Sequence, residues 1–111
     1  MTFQFDHIAQ QVDDIASAVN WYIEFIPGAR VLYQDDTWAF VEANGVRLAF
    51  VTSDQHPDHI AWRVSIEELE ALALKTGKEI KIHRDKSKSI YIEGPGGSAV
   101  EVISMQGSRW E

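Results

Sequence analysis

The phrase Asp6-His7-Ile8-Ala9 recurs as Asp58-His59-Ile60-Ala61, 52 positions further on in a chain of 111 residues. A phrase repeated at about half-length marks a duplicated supersecondary unit, whose copies bury the same faces in the same order. The repeat also constrains chemistry. Each copy carries a histidine at its second position, and a pseudo-symmetric fold can turn two such side chains toward one point.

The pattern around the two phrases supports a duplication. Residues 3–12 alternate as a strand, with Phe5, His7 and Ala9 on one face and Ile8, Gln10 and Val12 on the other. Asp13 and Asp14 are both able to cap the helix that follows, whose apolar stripe is Ile15, Ala18, Val19, Tyr22, Phe25 and Ile26. Pro27-Gly28 ends that helix. Strand-like runs follow at 29–33, 37–42 and 46–52, with Asp35-Asp36 and Asn44-Gly45 at the turns. The second half repeats this order. A strand at 58–64 leads into a Ser65–Glu68 capping box and a helix with Ile66, Leu69, Leu72 and Ala73 on its stripe. Strands are then expected at 79–83, 89–93 and 98–104, the last preceded by the turn Gly94-Pro95-Gly96-Gly97. The expectation is an α+β fold of two tandem βαβββ modules, about 1–53 and 54–111, in a single domain. The linker is Ser53-Asp54-Gln55-His56-Pro57, and the tail from Met105 has little pattern.

Composition narrows the function. The chain has no cysteine, which excludes disulfides and thiolate ligands. It shows neither a signal-peptide pattern nor an apolar run long enough for a bilayer, so a soluble cytoplasmic protein with no membrane partner is expected. A net charge of −7 argues against nucleic acid. The one basic cluster, Lys78, Lys81, Arg84, Lys86 and Lys88, reads either as a solvated loop or as an anion-gripping loop beside a pocket. A chain this short exposes much of its surface, and a homodimer would cover more of it.

The repeat offset places Ala49 opposite Glu101 in the alignment of the two halves. Glu101 lies between Val100 and Val102 in an otherwise apolar strand. A lone carboxylate directed into a sheet interior is costly unless it is paired or bound to a cation. His7, His59 and Glu101 together supply two imidazoles and a carboxylate, a set that holds a divalent ion and leaves its other positions open. Ala49 has no donor, so the fourth symmetric position is not protein-ligated. This N/O ligand set accepts Mn, Fe, Zn, Ni or Co. His56 and His83 have no repeat partner and read as surface residues. Arg63 shares strand parity with His59, and Arg47 with Ala49, which makes both candidates for binding a substrate carboxylate or phosphonate. Trp38, Phe40 and Trp62 read as core or as pocket wall.

The doubled βαβββ order, the two Asp-His-Ile-Ala starts and the Gly94-Pro95-Gly96-Gly97-Ser98-Ala99-Val100-Glu101-Val102 end resemble the vicinal-oxygen-chelate superfamily. Its members include glyoxalase I, bleomycin-resistance proteins, extradiol dioxygenases, methylmalonyl-CoA epimerase and fosfomycin-resistance thiol transferases. The resemblance runs from Phe3 to about Ser104. It implies a cup-shaped mixed sheet around one metal, held by His7, His59 and Glu101, in a homodimer whose site often draws on both chains. Glyoxalase I and the epimerase carry Glu or Gln where this chain has Ala49, so the three-ligand dioxygenases and transferases are the better match. Lys81, Arg84, Ser89 and Tyr91 are similar to groups with which the transferases grip an anionic substrate. Ala9 and Arg47 depart from that pattern, standing where those transferases carry a threonine and an aromatic. The resemblance therefore implies a metal-dependent lyase, transferase or dioxygenase acting on a small oxygen-rich, anionic metabolite, with Tyr91 as hydrogen-bond donor or acid. The alternative is a metal-free small-molecule binder of the bleomycin-resistance type, a class that tends to lack the triad.

Overall fold

The computed structural model describes residues 3–52, 57–83 and 85–105. Its elements are β1 (Gln4–Gln11), α1 (Ile15–Phe25), β2 (Arg30–Gln34), β3 (Trp38–Ala43), β4 (Val46–Val51), β5 (His59–Arg63), α2 (Ile66–Thr76), β6 (Lys81–Ile82), β7 (Lys88–Glu93) and β8 (Ala99–Ser104). The order βαβββ, twice over, is the one expected from the repeat. The strands form an eight-stranded mixed sheet in the order β2-β3-β4-β1-β5-β8-β7-β6, so each half places its last strand beside its first. Two compact units are distinguishable, one spanning His7–His59 and the other formed by the residues before and after it.

In the His7–His59 unit, β1 runs parallel to β4 in the register Ala9↔Ala49, and β3 runs antiparallel to β4 in the register Phe40↔Ala49. Asp14 is the residue that caps α1, its carboxylate accepting the Ser17 N–H at 3.0 Å. The helix packs Ile15 and Val19, with Ala18 and Tyr22 beside them, on Ala39, Val41 and Phe50. Phe25 departs from the expected stripe and is 57% exposed. Asn44 and Gly45 have φ of 53° and 87°, the left-handed pair that a two-residue hairpin needs.

In the other unit, β7 pairs antiparallel with β8 in the register Tyr91↔Glu101, and β6 pairs with β7. The capping box forms as expected, with the Ser65 hydroxyl accepting from Glu68 N and the Glu68 side chain accepting from Ser65 N. Gly77 closes α2 in the left-handed region. Leu69 and Ala73 pack on Val64, Ile90 and Val102, with Ile66 and Leu72 alongside. Strand β6 is shorter than its 79–83 pattern implied. Beyond Ile82↔Lys88 the His83 N–H donates to the Ser87 carbonyl at 2.8 Å in the same register, and Lys86 N donates to the His83 carbonyl at 2.9 Å, closing the turn into β7. Among the described residues, no helix is long and apolar enough to cross a membrane.

Candidate metal centre

The alternation of β1 sends Ile8 to a surface where it is 37% exposed, while His7 and Ala9 are buried. On β3 the same alternation gives Ala39 and Val41 to the α1 side and leaves Phe40 for the opposite face, where it meets His7 edge-on with ring centroids 5.8 Å apart. His59, at the start of β5, is 7% exposed and lies edge-on to His7 at 5.7 Å. The residue before it helps to set that position. Asp58 accepts the backbone N–H of Gln11 at 2.7 Å, tying the entry of β5 to the end of β1. The two repeat histidines are thus neighbours within one unit.

The hydrogen bonding of His59 decides its chemistry. Its Nδ1 lies 2.6 Å from the carbonyl oxygen of Pro57. A carbonyl oxygen only accepts, so Nδ1 carries the hydrogen and the lone pair sits on Nε2. Metal-binding histidines have this arrangement, with one nitrogen fixed by a backbone carbonyl and the other presented as a base.

In the other unit, Glu101 is 3% exposed on β8. The β7–β8 register sets Tyr91 directly across from it, and the Tyr91 hydroxyl donates to the Glu101 carboxylate. Burial first, then the negative charge of Glu101 and the hydrogen bond to it, push the Tyr91 phenol far above its ordinary value. Tyr91 therefore remains a proton-bearing donor. A further residue stands here that its sequence context did not announce. His83 is no surface residue: its side chain is 26% exposed, and its Nε2 lies 2.7 Å from the Ser89 hydroxyl and 3.6 Å from Glu101 Oε2. It has no counterpart in the repeat, so periodicity carried no signal for it.

The basic candidates are more dispersed. Arg47 is half-buried on β4, two residues from Ala49 and opposite Glu42 in the register. The Arg63 guanidinium donates to Gln4 Oε1 at 3.3 Å. Lys81 is exposed on β6, across from Ser89. Arg84 and His56 lie outside the described residues. Of the aromatic candidates, Phe40 is buried, and Trp38 is half-buried and stacked on Tyr33 at 4.6 Å. Trp62 is not core: it is 37% exposed, edge-on to Phe5.

The donor set fits a divalent cation. Buried imidazoles and a buried carboxylate suit a borderline ion, and His59 has the tautomer that coordination requires.

No family model and no curated protein matches the chain. Solved structures do. A hypothetical protein from Bacillus halodurans C-125 superposes with a TM-score of 0.75 at 16% identity, covering 97% of this chain and 98% of its own. A glyoxalase/bleomycin resistance protein/dioxygenase superfamily member from Vibrio splendidus 12B01 gives a TM-score of 0.67 at 14% identity over 93% and 98% of the two chains. The fold is that of the glyoxalase/bleomycin resistance/dioxygenase superfamily. The Mn(II)-bound glyoxalase from Novosphingobium aromaticivorans shares the same fold, with a TM-score of 0.63 at 18% identity. The match covers 97% of this chain but 43% of that one, so this chain spans less than half of its length.

Proposed function

We propose that this chain is a metal-dependent enzyme in which His7, His59 and Glu101 hold one divalent ion, and that its substrate is a small, oxygen-rich, anionic metabolite. One observation carries the reading. His7 and His59 are buried neighbours with ring centroids 5.7 Å apart, and Glu101 is a buried carboxylate; together they are a group of donors that could hold one metal ion. The ligand types are those of the two-histidine, one-carboxylate class with open positions. The Mn(II)-bound glyoxalase among the fold relatives supports a divalent ion on this scaffold.

When bound, such an ion supplies Lewis acidity toward substrate oxygens. The chain's own residues supply the rest. His59 offers the lone pair of Nε2 because Pro57 holds the proton on Nδ1. Glu101 supplies the negative charge, and its carboxylate is steadied by the Tyr91 hydroxyl. Tyr91 holds its proton at Oη and acts as a donor. Arg47 and Arg63 are the proposed anchors for the anionic groups of the substrate, with Lys81 and Arg84 reinforcing them. The bidentate guanidinium geometry suits carboxylate or phosphonate.

Metal analysis of the purified chain tests the proposal. The expected result is close to one divalent ion per chain after reconstitution, abolished by His59→Ala. At free metal about 100 times Kd, the ion should stabilise the fold by about 2.7 kcal/mol over the chelated protein. A chain that takes up none of Mn, Fe, Zn, Ni or Co, and whose melting is unchanged by chelator, would overturn the proposal and support the metal-free binder instead.

A further inference from the structure

We propose that His83 is a positioning residue for Glu101. Anchored on the buried hydroxyl of Ser89, its ring fixes the orientation in which the carboxylate faces the cation. The inference rests on the metal reading above and adds to it a residue outside the repeat.

The geometry begins with the strand register. Ser89 and Tyr91 lie on the same side of β7, because residues two apart share a face, and Tyr91 is directly across from Glu101 on β8. The opposite faces of these strands, through Ile90 and Val102, pack on α2. The other side carries Ser89, Tyr91 and Glu101 beside Ile103, and its polar groups are buried: Ser89 is 0% and Glu101 3% exposed. Into it the turn after β6 delivers His83. The backbone of His83 is held at both ends, its N–H donating to the Ser87 carbonyl at 2.8 Å and its carbonyl accepting from Lys86 N at 2.9 Å. Ser87 is held in turn by the Asp85 carboxylate, which accepts from its N–H at 2.9 Å. A ring mounted on a turn braced in this way has little freedom to leave.

The ring's Nε2 has two oxygens in front of it, Ser89 Oγ at 2.7 Å and Glu101 Oε2 at 3.6 Å. Ser89 Oγ, the nearer of the two, is the hydrogen-bond partner of Nε2, and Glu101 Oε2 lies beyond hydrogen-bond distance but within ion-pair range. Glu101 is thus flanked by the Tyr91 hydroxyl, which donates to it across the ladder, and by the His83 ring, which Ser89 holds against it from the turn. A glutamate has three side-chain torsions to lose, and each alternative rotamer competes with the coordinating one. Groups that orient a metal-binding carboxylate typically change affinity by about 10–100-fold when removed.

The test is a Co(II) titration of the full chain, read by the visible d–d absorption. His83→Leu is expected to weaken Co(II) binding by about tenfold or more and to shift the band. His83→Gln, whose side-chain amide can place an N–H near the position of Nε2, should restore much of both. Ser89→Ala should weaken binding too, and the His83→Leu/Ser89→Ala pair should be no weaker than His83→Leu alone, because the serine acts through the ring. Ile82→Ala changes a neighbouring side chain that is 70% exposed and serves as the control. Melting in chelator shows that each variant is folded. If wild type binds Co(II) stoichiometrically and His83→Leu and Ser89→Ala both bind it with wild-type affinity and spectrum, His83 has no positioning role while the metal site stands. An equal loss in Ile82→Ala would also overturn the inference, by assigning the effect to the strand. If wild type binds no Co(II), the metal reading itself fails, and this inference with it.

Discussion

Two carboxylates, each accepting from a tyrosine hydroxyl, differ in what their surroundings make of them. Glu101 is buried and receives Tyr91, whereas Asp35 is only half-buried and receives Tyr33 at 2.6 Å. Asp35 organises the β2–β3 turn. It also accepts the backbone N–H groups of Thr37 at 2.7 Å and Trp38 at 2.9 Å. The Tyr33 hydroxyl first, then these backbone donors, hold its carboxyl well below the ordinary 3.8. A carboxyl depressed by folding contributes stability that is present above its unfolded value and lost as pH falls through the folded one. Acid unfolding of wild type should therefore contain a component that begins near pH 4 and grows toward lower pH. Asp35→Asn should lack that component while matching wild type in the shape of the curve above it. Equal acid sensitivity in urea melts of the two proteins would show that the turn does not depend on the ionised group. At this scale the sequence was legible where a residue had a repeat partner or a local rule. His7 and His59 were marked by the repeated phrase, Glu101 by its apolar neighbours, and Ser65 by the capping-box spacing. His83 was not legible, because its role depends on a turn that folds it back onto β7 and β8.

Among the elements, β8, which carries Glu101, is entered through a tight turn at Gly94. Gly94 has φ −93°, a conformation open to any residue, so its requirement is steric and not conformational. A Cβ there would stand 2.6 Å from Val100 Cγ2 and 3.2 Å from the Ser98 carbonyl. Val100 and Ser98 belong to the segment entering β8, and Gly94 N–H already donates to Ser98 O at 2.6 Å. Gly94→Ala should therefore displace the start of that strand and cost about 1–3 kcal/mol in denaturant unfolding, the range for overpacking a tight contact. A change within experimental error would mean that the turn opens freely. The elements themselves were largely readable, since a 3.6-residue stripe and a two-residue alternation follow from the geometry of helix and strand. What failed was at the ends of elements. Strand β6 covers only Lys81–Ile82 of the 79–83 run, and Phe25, in the last turn of α1, is exposed while Ile15, Ala18, Val19 and Tyr22 make the packed stripe.

For the whole molecule, the duplicated order of elements was evident from a single repeated phrase, but the surfaces it leaves were not. Alternation shows which residues face away from a helix, and it does not show whether anything covers them. In the unit formed by the residues before His7 and after His59, Phe3, Phe5, Ile60 and Trp62 are 37–45% exposed, and Phe5 and Trp62 meet edge-on at 6.0 Å. Trp21 and Phe25 on α1 are also exposed, but they are spaced i, i+4 with centroids 5.2 Å apart, a contact a helix makes with itself. Phe5 and Trp62 come from opposite halves of the sequence, and their clustering is a property of the fold. Contiguous aromatic surface of this kind marks association, and paired aromatic side chains commonly anchor an interface. A short chain with incomplete burial gains most by covering such a face with a second copy. Sedimentation velocity on wild type should therefore give a dimer. Phe5→Ser combined with Trp62→Ser should shift it to monomer and leave the proposed metal uptake unchanged, because neither residue is a proposed ligand. Trp21→Ser should remain a dimer. If wild type sediments as a monomer at every concentration that can be reached, the Phe5–Trp62 face does not mediate self-association. If the double variant is monomeric and has also lost its metal, the site depends on the second chain.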